Sequence, residues 1–106
     1  MLTHEQIVKA VSKAATQFSL EHVSYFGSYA DGRATEESDL DILVEFTDNF
    51  ISLLDVIAFK YNLEDELNIN VDVIGLPLSE TAKKRLKIKK TVPVYGRTFA
   101  HVSNMK

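Results

Sequence analysis

Cysteine is absent from the sequence, which excludes disulfides, thiolate zinc sites and a cysteine nucleophile. No apolar stretch approaches the roughly eighteen residues of a membrane-spanning helix. The start, Met1-Leu2-Thr3-His4-Glu5, lacks a signal peptide's basic residues, so a cytoplasmic protein is expected. The three histidines, His4, His22 and His101, lie far apart without metal-ligand spacing and read as surface residues. The serines show no nucleophile elbow, which leaves Ser-His-Asp hydrolase chemistry without support. Internal repeats, low-complexity segments and interdomain linkers are also missing.

What is present fits one globular domain. At 106 residues the chain can bury a modest core without covalent staples. A hydrophobic share of 45% and a charged share of 25% are ordinary for a soluble fold. The net charge of −3 hides an asymmetry. Residues 79–90 carry Lys83, Lys84, Arg85, Lys87, Lys89 and Lys90 against Glu80, a net of +5, so the remainder carries −8. An acidic body is a poor general binder of nucleic acid. The basic run reads either as a solvated helix face or as a docking patch for an acidic partner or RNA.

Local patterns divide the chain into elements. Thr3 with Gln6 three residues later forms a capping-box pattern. Ile7, Val8, Val11, Ala14, Ala15 and Phe18 then recur at helical spacing, giving a helix over about 4–18. His22–Phe26 is a short β-like run leading to a Gly-Ser turn, and a short helix at about 28–32 ends at Gly32. Ala34–Ser38 is a loop, and a second strand runs from about Asp39 to Phe46, broken by Thr47-Asp48-Asn49. Ser52 caps a helix of about 53–67. Its Leu53, Leu54, Val56, Ile57, Tyr61, Leu63 and Leu67 form a broad apolar stripe expected in the core, while Asp55, Lys60, Asn62, Glu64, Asp65 and Glu66 face water. Asn68 closes that helix, and Ile69–Ile74 is a third strand stopped by Gly75 and Pro77. Ser79 caps a final helix of about 80–90, followed by Val92-Pro93-Val94-Tyr95 and Gly96. Residues 1–96 therefore read as a single domain, and 97–106 as a tail that is mobile or bound to a partner.

The stretch that carries chemistry is Gly27–Asp41. A Gly27-Ser28 turn is followed, after ten residues, by Asp39-Leu40-Asp41 at the head of an apolar run. Four fixed positions of this kind match by chance in roughly one chain of this length in five hundred. On a strand Asp39 and Asp41 point the same way, roughly 6–7 Å apart, while Leu40, Ile42, Val44 and Phe46 point the other way. Two carboxylates on the bare face of a sheet repel each other unless a cation sits between them. The Gly-Ser turn lets the backbone approach a phosphate closely. On the third strand Ile69, Val71 and Val73 share a face, which leaves Asp72 on the opposite one. If the second and third strands pair, three carboxylates converge, as a two-metal phosphoryl-transfer site requires.

This pattern resembles the nucleotidyltransferase signature of the DNA polymerase beta superfamily. The short chain is similar to a minimal nucleotidyltransferase (MNT) domain, of the type often encoded beside a HEPN-type helical partner, over about residues 20–96. The resemblance implies an α/β (α+β) fold: a small mixed β-sheet with helices on one face and the active site on the other. It makes Asp39, Asp41 and Asp72 the catalytic and metal-binding residues, with Gly27 and Ser28 holding the nucleotide. Family members commonly carry Ala-Arg-Gly where this chain reads Ala30-Asp31-Gly32, and an arginine follows only at Arg33. Arg33 is therefore taken as the substitute phosphate contact.

The function so implied is transfer of AMP from ATP, with two Mg²⁺ ions, to an acceptor hydroxyl. Whether Asp72 takes the acceptor's proton or only holds an ion is left open by the sequence. So small a chain has little protein to form a second substrate pocket, so another chain or a homodimer mate is expected to supply the acceptor. The resemblance implies a HEPN-type RNase toxin as partner, with one of its tyrosine hydroxyls as acceptor and this chain as antitoxin. Two alternatives stand beside it: one of a different class, a non-catalytic binding module with a vestigial site, and transfer to a small-molecule acceptor.

Overall fold

A computed structural model describes residues 1–47, 52–76, 88 and 90–96. In chain order these form α1 (His4–Ala14), β1 (Leu20–Phe26), α2 (Ser28–Asp31), β2 (Leu40–Phe46), α3 (Leu53–Leu67), β3 (Val71–Gly75) and β4 (Val92–Gly96). The strands make a mixed sheet of order β3-β2-β1-β4. β1 runs antiparallel to both β2 and β4, and β2 runs parallel to β3 through the α3 crossover. The expected helix at 80–90 and the tail at 97–106 lie outside the described residues, apart from Ile88 and Lys90.

Both long helices start on reciprocal caps. The Gln6 amide donates to Thr3 Oγ1 at 3.1 Å while the Thr3 amide donates to Gln6 Oε1 at 2.8 Å. At α3 the Asp55 amide donates to Ser52 Oγ and the Ser52 amide to Asp55 Oδ2, at 3.3 and 3.1 Å. Each pair satisfies amide groups that the first helical turn leaves without partners. α1 stops at Ala14, short of the expected residue 18, and a turn carries Phe18 back so that its amide donates to the Ala14 carbonyl at 2.9 Å. α3 closes on Asn68 in the left-handed region, φ 62°, a conformation asparagine tolerates better than most side chains.

The core lies between the two helices and one face of the sheet. Ile7, Val11 and Ala14 of α1 meet Phe59 and Leu63 of α3 over Val23, Leu40, Ile42, Val44 and Val71. Phe59 is fully buried, with its ring edge-on to Phe18 and Phe46 at centroid distances of 5.6 and 6.0 Å. Each such side chain contributes on the order of 1.5–3 kcal/mol by leaving water.

The face of α3 differs from the expected stripe. Leu53, Leu54 and Tyr61 are 73%, 76% and 57% exposed, whereas Phe59, which that stripe omits, is buried. The helix carries apolar residues on more than one side, and only those around the line Val56, Phe59, Leu63 and Leu67 point at the sheet. Lys60 and Glu64, expected in water, are instead half-buried. On the sheet's other face Phe26 and Leu43 are buried at 7% and 8%, apart from the main core cluster, so that face is not uniformly bare.

These assignments separate by mutation. Phe59→Ala is expected to lower unfolding stability by about 3–5 kcal/mol in denaturant titration. Leu54→Ala is expected to change it by less than about 0.5 kcal/mol, as an exposed substitution does. Comparable losses in the two variants would put Leu54 back in the core.

Candidate active site

Three loops and strand ends meet at one end of the sheet. β1 delivers the chain to Gly27, which begins α2 with φ 71° and ψ −147°, a conformation that disfavours side chains. A Cβ at this position would strike Asp41 Oδ2 and lie 3.3 Å from Asp41 Cγ. Glycine is therefore required twice, for its backbone angle and for the carboxylate packed against it. The short α2 is closed by Gly32 in the left-handed region, φ 74°, and by the Arg33 amide donating to the Ser28 carbonyl at 2.9 Å. The turn bearing Ser28 is thereby fixed at both ends.

The carboxylates come from β2 and β3. Asp41 faces Phe26 across the antiparallel pair and Asp72 across the parallel one. Neighbouring strands run about 4.8 Å apart, so the two carboxylates stand side by side on one face. Burial pushes the Asp41 carboxyl up from its ordinary value of 3.8, and the charges of Asp72 and Asp39 push it further. The closeness of the Asp72 side chain acts in the same direction. Asp39, exposed just before β2, belongs to the group through its charge on Asp41.

Arg33 is not brought to these carboxylates. Its Nη2 donates to Asp31 Oδ2 at 3.0 Å, and its side chain is 77% exposed. His4 and His22 likewise have other partners, the Tyr25 hydroxyl at 2.9 Å and the Glu45 carboxylate at 2.8 Å. Two cavities among the described residues lie elsewhere: one of about 280 Å³ bordered by Phe18, Thr47 and Tyr95, and one of about 250 Å³ bordered by Lys9 and Glu66. Neither cavity is lined by the three carboxylates, so it is their chemistry that makes them the candidate site.

Lys60 and Glu64 are the residues that sequence reasoning passed over. Glu64 Oε2 accepts from Lys60 Nζ at 2.8 Å and from the Val71 amide at 3.0 Å, one residue before Asp72. The Lys60 hydrogen bond, and then the Val71 one, hold the Glu64 carboxyl below its ordinary range. The Glu64 hydrogen bond raises the Lys60 ammonium, and Asp72 is close enough to add a smaller effect. The only sequence signal was a Lys-Glu pair spaced one helical turn apart, common on solvated faces.

Among the described residues no three His, Asp or Glu side chains are spaced to hold a metal ion as they stand. The donor set nevertheless suits a hard divalent cation. It offers carboxylate oxygens only, and a cation held between Asp41 and Asp72 would relieve the repulsion that raises the Asp41 carboxyl.

Comparison with known proteins gives three findings. The family model described as a nucleotidyltransferase domain matches residues 4–97. The chain is 37% identical over 78 residues to the protein adenylyltransferase MntA of Thermococcus cleftensis, covering 70% of this chain and 78% of that one. Two solved structures share the fold. A crystal structure of a toxin–antitoxin with AMP-PNP matches at TM-score 0.66 and 22% identity, over 90% of this chain and 74% of that one. A tri-AMPylated Shewanella oneidensis HEPN toxin in complex with an MNT antitoxin matches at TM-score 0.65 and 17% identity, over 93% and 77%.

The raised Asp41 carboxyl has a consequence for stability. It holds its proton more tightly in the folded than in the unfolded chain, so it subtracts from stability as pH climbs from about 4 through the raised value. Without divalent cations, Asp41→Asn is expected to melt above the wild type at pH 7, by a modest margin because the group is half-exposed. The gap should close as pH falls toward 4. A variant that melts below the wild type at pH 7 would show that Asp41 is a stabilising residue and not a strained one.

Proposed function

The chain belongs to the nucleotidyltransferase domain family, and from that premise we propose that it transfers AMP from ATP to a hydroxyl of a partner protein. The observation that carries this reading is Asp41 set opposite Asp72 on adjacent strands, with Gly27 packed against the Asp41 carboxylate. The MntA relative, named a protein adenylyltransferase, supports AMP as the group moved and a protein as its recipient. The AMP-PNP in one structural neighbour is in keeping with ATP as donor. The AMPylated toxin in the other is in keeping with a HEPN-type toxin as partner and with an antitoxin role; the acceptor we propose is one of that partner's tyrosine hydroxyls, in the cytoplasm. Among the described residues no helix is long and apolar enough to cross a membrane.

Each residue then has a task. Gly27 and Ser28 hold the triphosphate, because a turn without a Cβ lets backbone amides approach its oxygens. Asp39, Asp41 and Asp72 would hold two Mg²⁺ ions, which neutralise the triphosphate and lower the pKa of the acceptor hydroxyl. The acceptor oxygen attacks the α-phosphorus in line. A new P–O bond forms as the bond to pyrophosphate breaks, and the hydroxyl proton leaves to solvent past Asp72, an exposed carboxylate on the edge strand. Arg33 is the side chain within this loop that can turn from Asp31 toward a phosphate. Most of the rate gain comes from positioning and charge neutralisation.

A second reading is favoured by one observation. Asp31 occupies Arg33, as expected of a module that silences its partner by contact alone and no longer needs a phosphate-binding arginine.

Intact mass spectrometry separates the two. The wild type, incubated with its copurified partner, ATP and Mg²⁺, is expected to add one or more AMP groups to that partner. Asp41→Asn should add none, and Asp72→Asn should still bind ATP with Mg²⁺ while losing at least about a hundredfold in transfer rate. A wild type that binds the partner and modifies nothing supports the contact-only reading.

A further inference from the structure

The start of β3 is gripped from both sides. On its inner side the Leu40 amide donates to the Asn70 carbonyl at 3.1 Å. On its outer side, where no further strand follows among the described residues, the Val71 amide donates to Glu64 Oε2 at 3.0 Å. An amide on a sheet edge open to water needs no protein partner, because solvent can serve it. A helix carboxylate on this amide instead ties the strand to α3.

That helix is rigidly seated. Leu63, the residue before Glu64, is fully buried, and so is Phe59 one turn earlier. Lys60, one turn before Glu64, donates to Oε2 at 2.8 Å, and the two side chains are 33% and 20% exposed. Lys60 thus limits the directions in which the Glu64 carboxylate can turn. A continuous path runs from the core through Glu64 to the Val71 amide, and Asp72 is the next residue.

We infer that Glu64, oriented by Lys60, is a positioning residue for Asp72: it fixes the edge strand so that the Asp72 carboxylate stands opposite Asp41 at the acceptor side of the site. The inference rests on the transfer reading above. Glu64 touches neither nucleotide nor acceptor in this account and acts only through the backbone of residues 71 and 72. Loss of the anchor lets the edge strand drift outward, and a displacement of about 1 Å can cost on the order of a hundredfold in rate. Nucleotide binding, assigned to Gly27 and Ser28 at the far side of β2, should be spared.

The test compares Glu64→Ala with Glu64→Gln in the complex with the copurified partner. Glutamine keeps an oxygen that can accept from the Val71 amide, whereas alanine removes it. Glu64→Ala is expected to lower the transfer rate by about tenfold or more, with ATP affinity changed by less than about threefold. Glu64→Gln should stay within about threefold of the wild-type rate. Hydrogen exchange at the Val71 amide should quicken in the alanine variant and remain protected in the glutamine one. A Glu64→Ala protein that transfers at the wild-type rate while its Val71 amide exchanges freely overturns the inference and leaves the transfer reading intact. Equal falls in rate and ATP affinity in that variant also overturn it, because they mark general loosening. A wild type that transfers nothing overturns the transfer reading first and this inference with it.

Discussion

Parallel pairing of β2 with β3 holds two carboxylates, Asp41 and Asp72, side by side against their mutual repulsion. The opposite face of the same two strands makes this possible. Leu40, Ile42, Val44 and Val71 are completely buried there beneath α1 and α3, and a one-residue slip of β3 would drive Asp72 into that core and turn Val71 out. Backbone bonds at both ends fix the register, Leu40 amide to Asn70 carbonyl at the site and Leu76 amide to Val44 carbonyl at 2.8 Å at the other end. Hydrophobic burial on one face thus stabilises a charge arrangement on the other that is unfavourable by itself. Such local strain is typical of sites that await a charged ligand.

The same logic explains why Gly27 and Asp41 belong together. A side chain at residue 27 would displace the carboxylate, and a different backbone angle would swing Ser28 away from it. The proposed site sits at the strand ends, and neither described cavity is lined by its carboxylates.

Much of the fold could be read from local sequence because its signals are local. Thr3 with Gln6 and Ser52 mark helix starts through bonds that span three residues, and alternation from Leu40 to Phe46 marks a strand with one face in the core. The failures were tertiary. Nothing in the composition of α3 says that Phe59 points inward while Leu54 and Tyr61 point out, because that depends on how the helix is rotated on the sheet. The meeting of Asp41 with Asp72 was anticipated, but only on the condition that β2 and β3 pair, which neither strand reveals alone. The motif proposes which carboxylates matter, but their register is a property of two strands joined by a 15-residue helix. The Asp31–Arg33 pair and the Lys60–Glu64–Val71 link were equally illegible, since the first depends on loop geometry and the second on a contact between helix and sheet edge.

The claim at the centre of this account is that Asp39, Asp41 and Asp72 form a cation site beside the Gly27 turn. Manganese in place of magnesium, soaked with a non-hydrolysable ATP analogue, can be located by anomalous X-ray scattering. The expected result is metal bound by Asp39, Asp41 and Asp72, with the triphosphate against Gly27 and Ser28. Metal and nucleotide bound elsewhere, with these carboxylates unliganded, would contradict it.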